Sequence, residues 1–139
     1  CQAVQWLAFA SNAFNTLVPF YAAVGETPEY LANTTKEVST ENFYWSARMI
    51  AAMADASFAK SAIHIERYQN AVQAKGHALL RKYDAEAAKI TDPAESRRLL
   101  EKANREIAKM LKEETGNTLD HVLFELSNSM KNAFSRSDA

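Results

Sequence analysis

Cysteine is nearly absent. Cys1 is the only one in 139 residues, so no internal disulfide framework can form, and a reducing compartment suits the chain. Glycine and proline number three each, which leaves little material for linkers or long loops. No run approaches the roughly 18–20 consecutive apolar residues of a membrane span. The first twenty residues lack the basic start and small-residue cleavage site of a secretory signal. Charge of one sign is lacking too: 16 basic against 17 acidic residues give a net charge of −1, with no long-range pull towards nucleic acid or anionic lipid. There is no glycine-rich phosphate loop, no internal repeat and no low-complexity segment. The histidines, His64, His77 and His121, have no second histidine or cysteine within four residues, so the helical spacing of a metal pair is missing and no metal or other cofactor is expected. They read as surface or rim residues.

What is present is apolar patterning. Two runs of strand length, 3–11 and 16–23, flank a short polar turn. The first is apolar on both faces, with Val4, Trp6, Ala8 and Ala10 on one and Leu7 and Phe9 on the other. Such a strand belongs to a sheet covered on both sides, whereas an isolated hairpin is marginal in water. The chain is therefore expected to be a piece of a larger enzyme, or a protomer that borrows a sheet from a neighbour. The lack of an initiating methionine fits a fragment or a processed chain. Pro19 cannot donate to a ladder and places the second strand at an edge or bulge. The aromatic cluster Trp6, Phe9, Phe14, Phe20 and Tyr21 reads as sheet core.

The remainder, 28–139, reads as helical, which makes the fold class α+β: a short N-terminal β-hairpin over 3–24, then a mostly α-helical region. Thr27-Pro28 signals a short helix over 28–33. Ser39 or Thr40 should cap a helix from Glu41 to about Phe58, with Phe43, Ala47, Ile50, Ala51, Ala54 and Phe58 as its stripe. A long helix over about 62–90 carries Ile65, Tyr68, Val72, Gly76, Leu79, Tyr83, Ala87 and Ile90, with Gly76 placed for a close helix crossing. Asp92-Pro93-Ala94-Glu95 restarts the chain as a helix running to about Thr115, so an αα-hairpin is expected at about 62–115. Glu101 and Arg105 form an i,i+4 pair on its wet side. Gly116-Asn117 reads as a stop, and a last helix from near Thr118 to Phe134 should fold back on the pair.

Candidates for chemistry are sparse. An N-terminal cysteine can be a nucleophile with its own α-amino group as base. Against this role for Cys1, nothing near Gln2 offers an oxyanion hole, and the preferred reading is a chain boundary. No catalytic residue is expected. Ser11, Asn12 and Asn15, at the tip of the hairpin, are the substrate-pocket candidates, because amides and a hydroxyl there could hold a peptide carbonyl. Ordinary turn chemistry explains the same residues and is the preferred reading of them. Basic residues from Arg97 to Lys112 alternate with glutamates, as on a solvated helix face.

Ala3-Val-Gln-Trp-Leu, Asn12-Ala-Phe-Asn-Thr, Val18-Pro-Phe-Tyr-Ala22, Thr27-Pro-Glu-Tyr and Asn42-Phe-Tyr-Trp together resemble the C-terminal region of the dipeptidase A family, relatives of the secernins among the N-terminal-nucleophile hydrolases. The resemblance covers essentially the whole chain, and its Gln-Trp-Leu and Val-Pro-Phe-Tyr motifs are the specific part. It implies an αββα sandwich in the complete enzyme and metal-free hydrolysis of short peptides by a cysteine at the head of the mature chain. That nucleophile belongs to the family's N-terminal segment, typically as Cys-Thr. Cys1 is followed by Gln2 and does not inherit the role. The implied partners are a short peptide substrate, the remaining N-terminal portion of the enzyme and, through the long helices, other copies of the chain. The implied setting is the bacterial cytoplasm, with a secreted parent left open. The competing expectation is a non-catalytic helical module that dimerises through the hairpin and the αα-pair.

Overall fold

A computed structural model describes residues 2–9, 13–22, 24–32 and 34–130. The element order is β1 (Val4–Leu7), β2 (Val18–Tyr21), α1 (Phe43–Ala56), α2 (Phe58–Ala87) and α3 (Pro93–Asn128). The class is α+β as expected, with one two-stranded antiparallel sheet and three helices among the described residues.

Both strands are shorter than the apolar runs. After Leu7 the chain leaves the ladder, and the ring of Phe9 goes to Phe43 at 5.3 Å rather than continuing a sheet face. The strand buried on both faces is β2 and not β1. Every residue of β2 is buried, whereas Gln5 is exposed and Trp6 is 42% exposed. The reason is position. Pro19 meets Gly76 of α2 on one side of β2, and segment 24–31 covers Phe20 and Leu7 on the other. Trp6 thus falls outside the aromatic core to which it was assigned.

Pro19 sits where its missing N–H costs nothing. The register pairs Val4 with Tyr21, Gln5 with Phe20, Trp6 with Pro19 and Leu7 with Val18. Just beyond it, the Ala22 N–H donates to the Ala3 carbonyl at 2.9 Å. Hydrogen-bonded and non-hydrogen-bonded pairs alternate along an antiparallel ladder, so the backbone polar groups of residues 19 and 21 point away from β1. Those of Tyr21 are met by a side chain of α3. Asn104 Oδ1 accepts from Tyr21 N–H at 2.8 Å, and Asn104 Nδ2 donates to the Tyr21 carbonyl at 3.0 Å. A buried amide thereby stands in for a neighbouring strand.

The helix starts differ in how well they follow local signals. Residues 28–32 make one turn rather than a helix, with Leu31 and Ala32 N–H donating to the Pro28 carbonyl. The cap of α1 is Asn42, whose Oδ1 accepts from Trp45 N–H at 3.3 Å; Ser39 Oγ instead accepts locally from Glu41 N–H. Asp92 caps α3 as expected, accepting from Ala94 and Glu95 N–H, with Pro93 in the first turn. Between α1 and α2 there is only Ser57, at φ −140° and ψ 48°, which breaks the helix without inserting a loop.

The expected stop at Gly116-Asn117 does not occur, and α3 runs through both residues to Asn128. A helical glycine costs about 1 kcal/mol relative to alanine. Buried Thr115, Thr118 and Val122 on either side of it hold the helix against α2 and override that preference. Thr118, near which a last helix was expected to start, turns its hydroxyl back to the Glu114 carbonyl at 2.9 Å. Among the described residues no separate last helix folds back on the pair, and its expected end, 131–134, lies outside them.

The core gathers Val18, Phe20, Phe43, Ile50, Val72, Tyr83, Ile107, Leu111 and Val122 between the sheet and the three helices. α3 packs along both α2 and α1. The close partner of Gly76 is not a helix but the Pro19 ring: a Cβ at 76 would lie 3.0 Å from Pro19 Cδ. Arg105 reaches Glu26 at 3.1 Å, an exposed contact rather than the expected pair with Glu101.

Candidate functional site

A cleft of about 570 Å³ lies between the hairpin and α2. Helical spacing builds one wall, because Gln69, Gln73 and His77 succeed one another every four residues on one face of α2. Trp6 and Ala8 from the β1 side form the other wall, and Asn15, Thr16 and Leu17 close one end. The walls touch at two points. Gln69 Nε2 donates to the Asn15 carbonyl at 2.6 Å, tying the hairpin connection to the helix. The Trp6 and His77 rings lie 5.2 Å apart, tilted by 50°.

Of the expected pocket residues, Asn15 lines this cleft. Ser11, Asn12 and Cys1 lie outside the described residues. Gln69, Gln73 and His77 were not anticipated. They sit 54 or more positions from Asn15 in sequence, and no local pattern marks a helix face as a cleft wall. Trp6 was noticed but assigned to the core.

The cleft has the chemistry of a binding wall. It offers an indole, an imidazole, exposed glutamine amide and a half-exposed asparagine, all suited to peptide groups. Among the described residues the His77 ring is in contact with the Trp6 indole. Thr16 Oγ1 is buried and has no partner among the described residues.

Other polar groups are structural. The Tyr21 hydroxyl shares its one proton between Asp84 Oδ1 at 2.8 Å and the Leu80 carbonyl at 3.1 Å. Burial, reinforced by Asp84, raises its pKa well above the ordinary phenol value. Burial also raises Tyr68, whose hydroxyl meets Thr115 at 2.8 Å. Tyr83 donates to Glu106; burial first, and then that carboxylate, push its pKa up to about 12. The same hydrogen bond holds Glu106 below its usual value.

His64 and His121, 57 positions apart, stack at 5.1 Å with planes 7° apart, and His64 Nε2 meets Glu125 at 3.2 Å. Both were read as surface or rim histidines, with no partner anticipated from sequence spacing. Among the described residues no group of three or more histidine, cysteine or acidic side chains is placed to hold a metal ion. No helix among them is long and apolar enough to cross a membrane.

A family model described as Peptidase family C69 matches residues 1–71. A "Dipeptidase" of Bifidobacterium longum is 37% identical over 99% of this chain and 33% of its own length. A "Probable dipeptidase A" of Streptococcus pyogenes serotype M3 is 41% identical over 98% of this chain and 28% of its own. "Dipeptidase A" of Lactobacillus helveticus is 38% identical over a shorter match, 40% of this chain and 11% of its own length. The chain spans about a third or less of the length of these relatives.

Proposed function

The chain belongs to peptidase family C69, and from that premise we propose that it is the C-terminal portion of a dipeptidase, with the nucleophile supplied by sequence outside these 139 residues. One observation carries the reading: relatives named as dipeptidases match 98–99% of the chain at 37–41% identity. The cleft supports it. Its amides, indole and imidazole suit the backbone and side chains of a short peptide.

In this reading a cysteine thiolate attacks the carbonyl carbon of the peptide bond. The C–N bond breaks, the second amino acid leaves as its amine after taking up a proton, and water hydrolyses the thioester. This chain completes the enzyme's sheet, walls the cleft through Trp6, Asn15, Gln69, Gln73 and His77, and braces it with the helices. A bacterial cytoplasmic setting belongs to the same proposal, since the named relatives are bacterial.

The test is hydrolysis of a dipeptide panel with thiol reductant and a metal chelator, by the full-length polypeptide and by residues 1–139 alone. Hydrolysis by the former and none by the latter is expected. Hydrolysis by the short chain that is lost in Cys1→Ala would overturn the placement of the nucleophile. A full-length polypeptide inert towards every dipeptide would overturn the function.

A further inference from the structure

The two edges of the small sheet are not equivalent. Along β2, Asn104 takes both outward groups of Tyr21, and Pro19 has no N–H to satisfy. Along β1 the same alternation turns the N–H and C=O of Val4 and Trp6 outward. No described residue is bonded to these four groups. Neither Pro nor any charged side chain occurs in 2–9, so the devices that normally blunt a free edge are missing. The edge is flanked by apolar surface, with Val4 and Leu7 half-buried and Trp6 at 42% exposure.

We propose that β1 is an interior strand of the working enzyme. Its outer edge receives a strand from the part of the polypeptide outside these 139 residues, and β2 is the last strand of that sheet. Two findings favour this occupant over a second copy. Two strands make a marginal sheet, and the relatives that match nearly all of this chain are more than three times its length, which leaves ample chain to extend it. The incoming backbone would exchange hydrogen bonds with Val4 and Trp6 only, because those of Gln5 and Leu7 face β2. The inference rests on the proposal that the chain works within a longer dipeptidase polypeptide.

The test is residue-resolved amide hydrogen exchange on the full-length polypeptide, with dipeptide hydrolysis measured on the same sample. The amides of Val4 and Trp6 are expected to exchange about 100-fold or more slowly than in an unstructured peptide, alongside those of Gln5 and Leu7. Val4→Pro, which removes only an outward N–H, should restore fast exchange at Trp6 while Gln5 and Leu7 stay protected. Fast exchange at Val4 and Trp6 in the unsubstituted protein, beside slow exchange at Gln5 and Leu7, would overturn the proposal. So would protection that vanishes when the sample is diluted to monomers, since the occupant would then be a second copy. A bare edge in an active enzyme refutes the edge assignment alone. A protected edge without hydrolysis refutes the dipeptidase reading and leaves the edge assignment standing.

Discussion

Asn104 should be worth far more than one exposed polar residue. Replacing it with alanine leaves the Tyr21 N–H and carbonyl, in a residue only 3% exposed, without partners. Each such group costs about 1–3 kcal/mol, so the pair costs about 2–6 kcal/mol, a large share of a typical stability of about 5–15 kcal/mol. The vacated space is close to the roughly 30 Å³ share of one water. A water that enters could accept from Tyr21 N–H and donate to its carbonyl, which brings the alanine variant towards the low end. Asn104→Leu admits no water and should lie at the high end, so the more apolar side chain is the worse one. Asn104→Asp adds a pH signature. Its carboxylate accepts from Tyr21 N–H but cannot donate to the carbonyl, whereas the protonated acid can do both. The folded-state pKa of that aspartate is therefore raised above its unfolded value of about 3.9. Its contribution is complete below the unfolded value and is lost as pH rises through the folded one, at about 1.4 kcal/mol per pH unit between them. Urea titrations followed by circular dichroism, with unchanged slopes, measure all three variants. A cost below about 1 kcal/mol for both alanine and leucine, or an aspartate variant that tracks the unsubstituted protein across pH, would refute the reasoning.

The two helical glycines should respond in opposite directions. Gly116→Ala meets nothing within 4 Å and should raise stability by about 1 kcal/mol in urea titration. Gly76→Ala drives a methyl against a Pro19 ring held by the ladder and should lower it by about 1–3 kcal/mol despite the same propensity gain. In alkali, Tyr21, Tyr68 and Tyr83 all have raised folded-state values, so the stability they contribute is intact below about pH 10 and lost as pH climbs through those values. Tyr83→Phe should flatten the fall in melting temperature between pH 10 and 12, with the phenolate absorbance reporting the titration. Glu106 has the opposite sign, its contribution being present above the ordinary carboxylate value of 4.5 and lost on acidification. In the full-length enzyme, Gln73→Ala and His77→Ala should raise KM for dipeptides several-fold with little change in kcat, because they would remove binding contacts and no reacting group. A fall in kcat with KM unchanged would assign His77 to the chemistry instead.

The parts of this fold that were readable from sequence are those decided within one helical turn or one strand pair. Asp92-Pro93-Ala94-Glu95 announces a helix start because cap, proline and acidic residue act within four positions. The stripe from Ile65 to Ala87 announces a buried face because periodicity alone sets it. Pro19 correctly marks an edge. What failed depended on distant partners. Gly116 is carried inside a helix by packing on either side of it, and Gly76 serves a proline 57 positions away. β2 is buried because α2 at Gly76 and segment 24–31 close over it, and the outward backbone groups of Tyr21 are met by Asn104, 83 positions away. The cleft has the same limitation: Asn15 carries a turn signal, but Gln69, Gln73 and His77 acquire meaning only when the hairpin lies across α2.

Ser57 has a mechanical consequence. With one residue between α1 and α2, the angle between the two rods is governed by very few backbone torsions. The 30 residues of α2 extend about 45 Å, so a 10° change at that joint would sweep its far end through roughly 8 Å by the same rise. α1 and α2 share little surface with each other, while α3 lies along both. α3 is therefore the strut that sets the lever's angle, and substitutions in its buried face, remote from the cleft, would act on the cleft by re-aiming the arm that carries Gln69, Gln73 and His77.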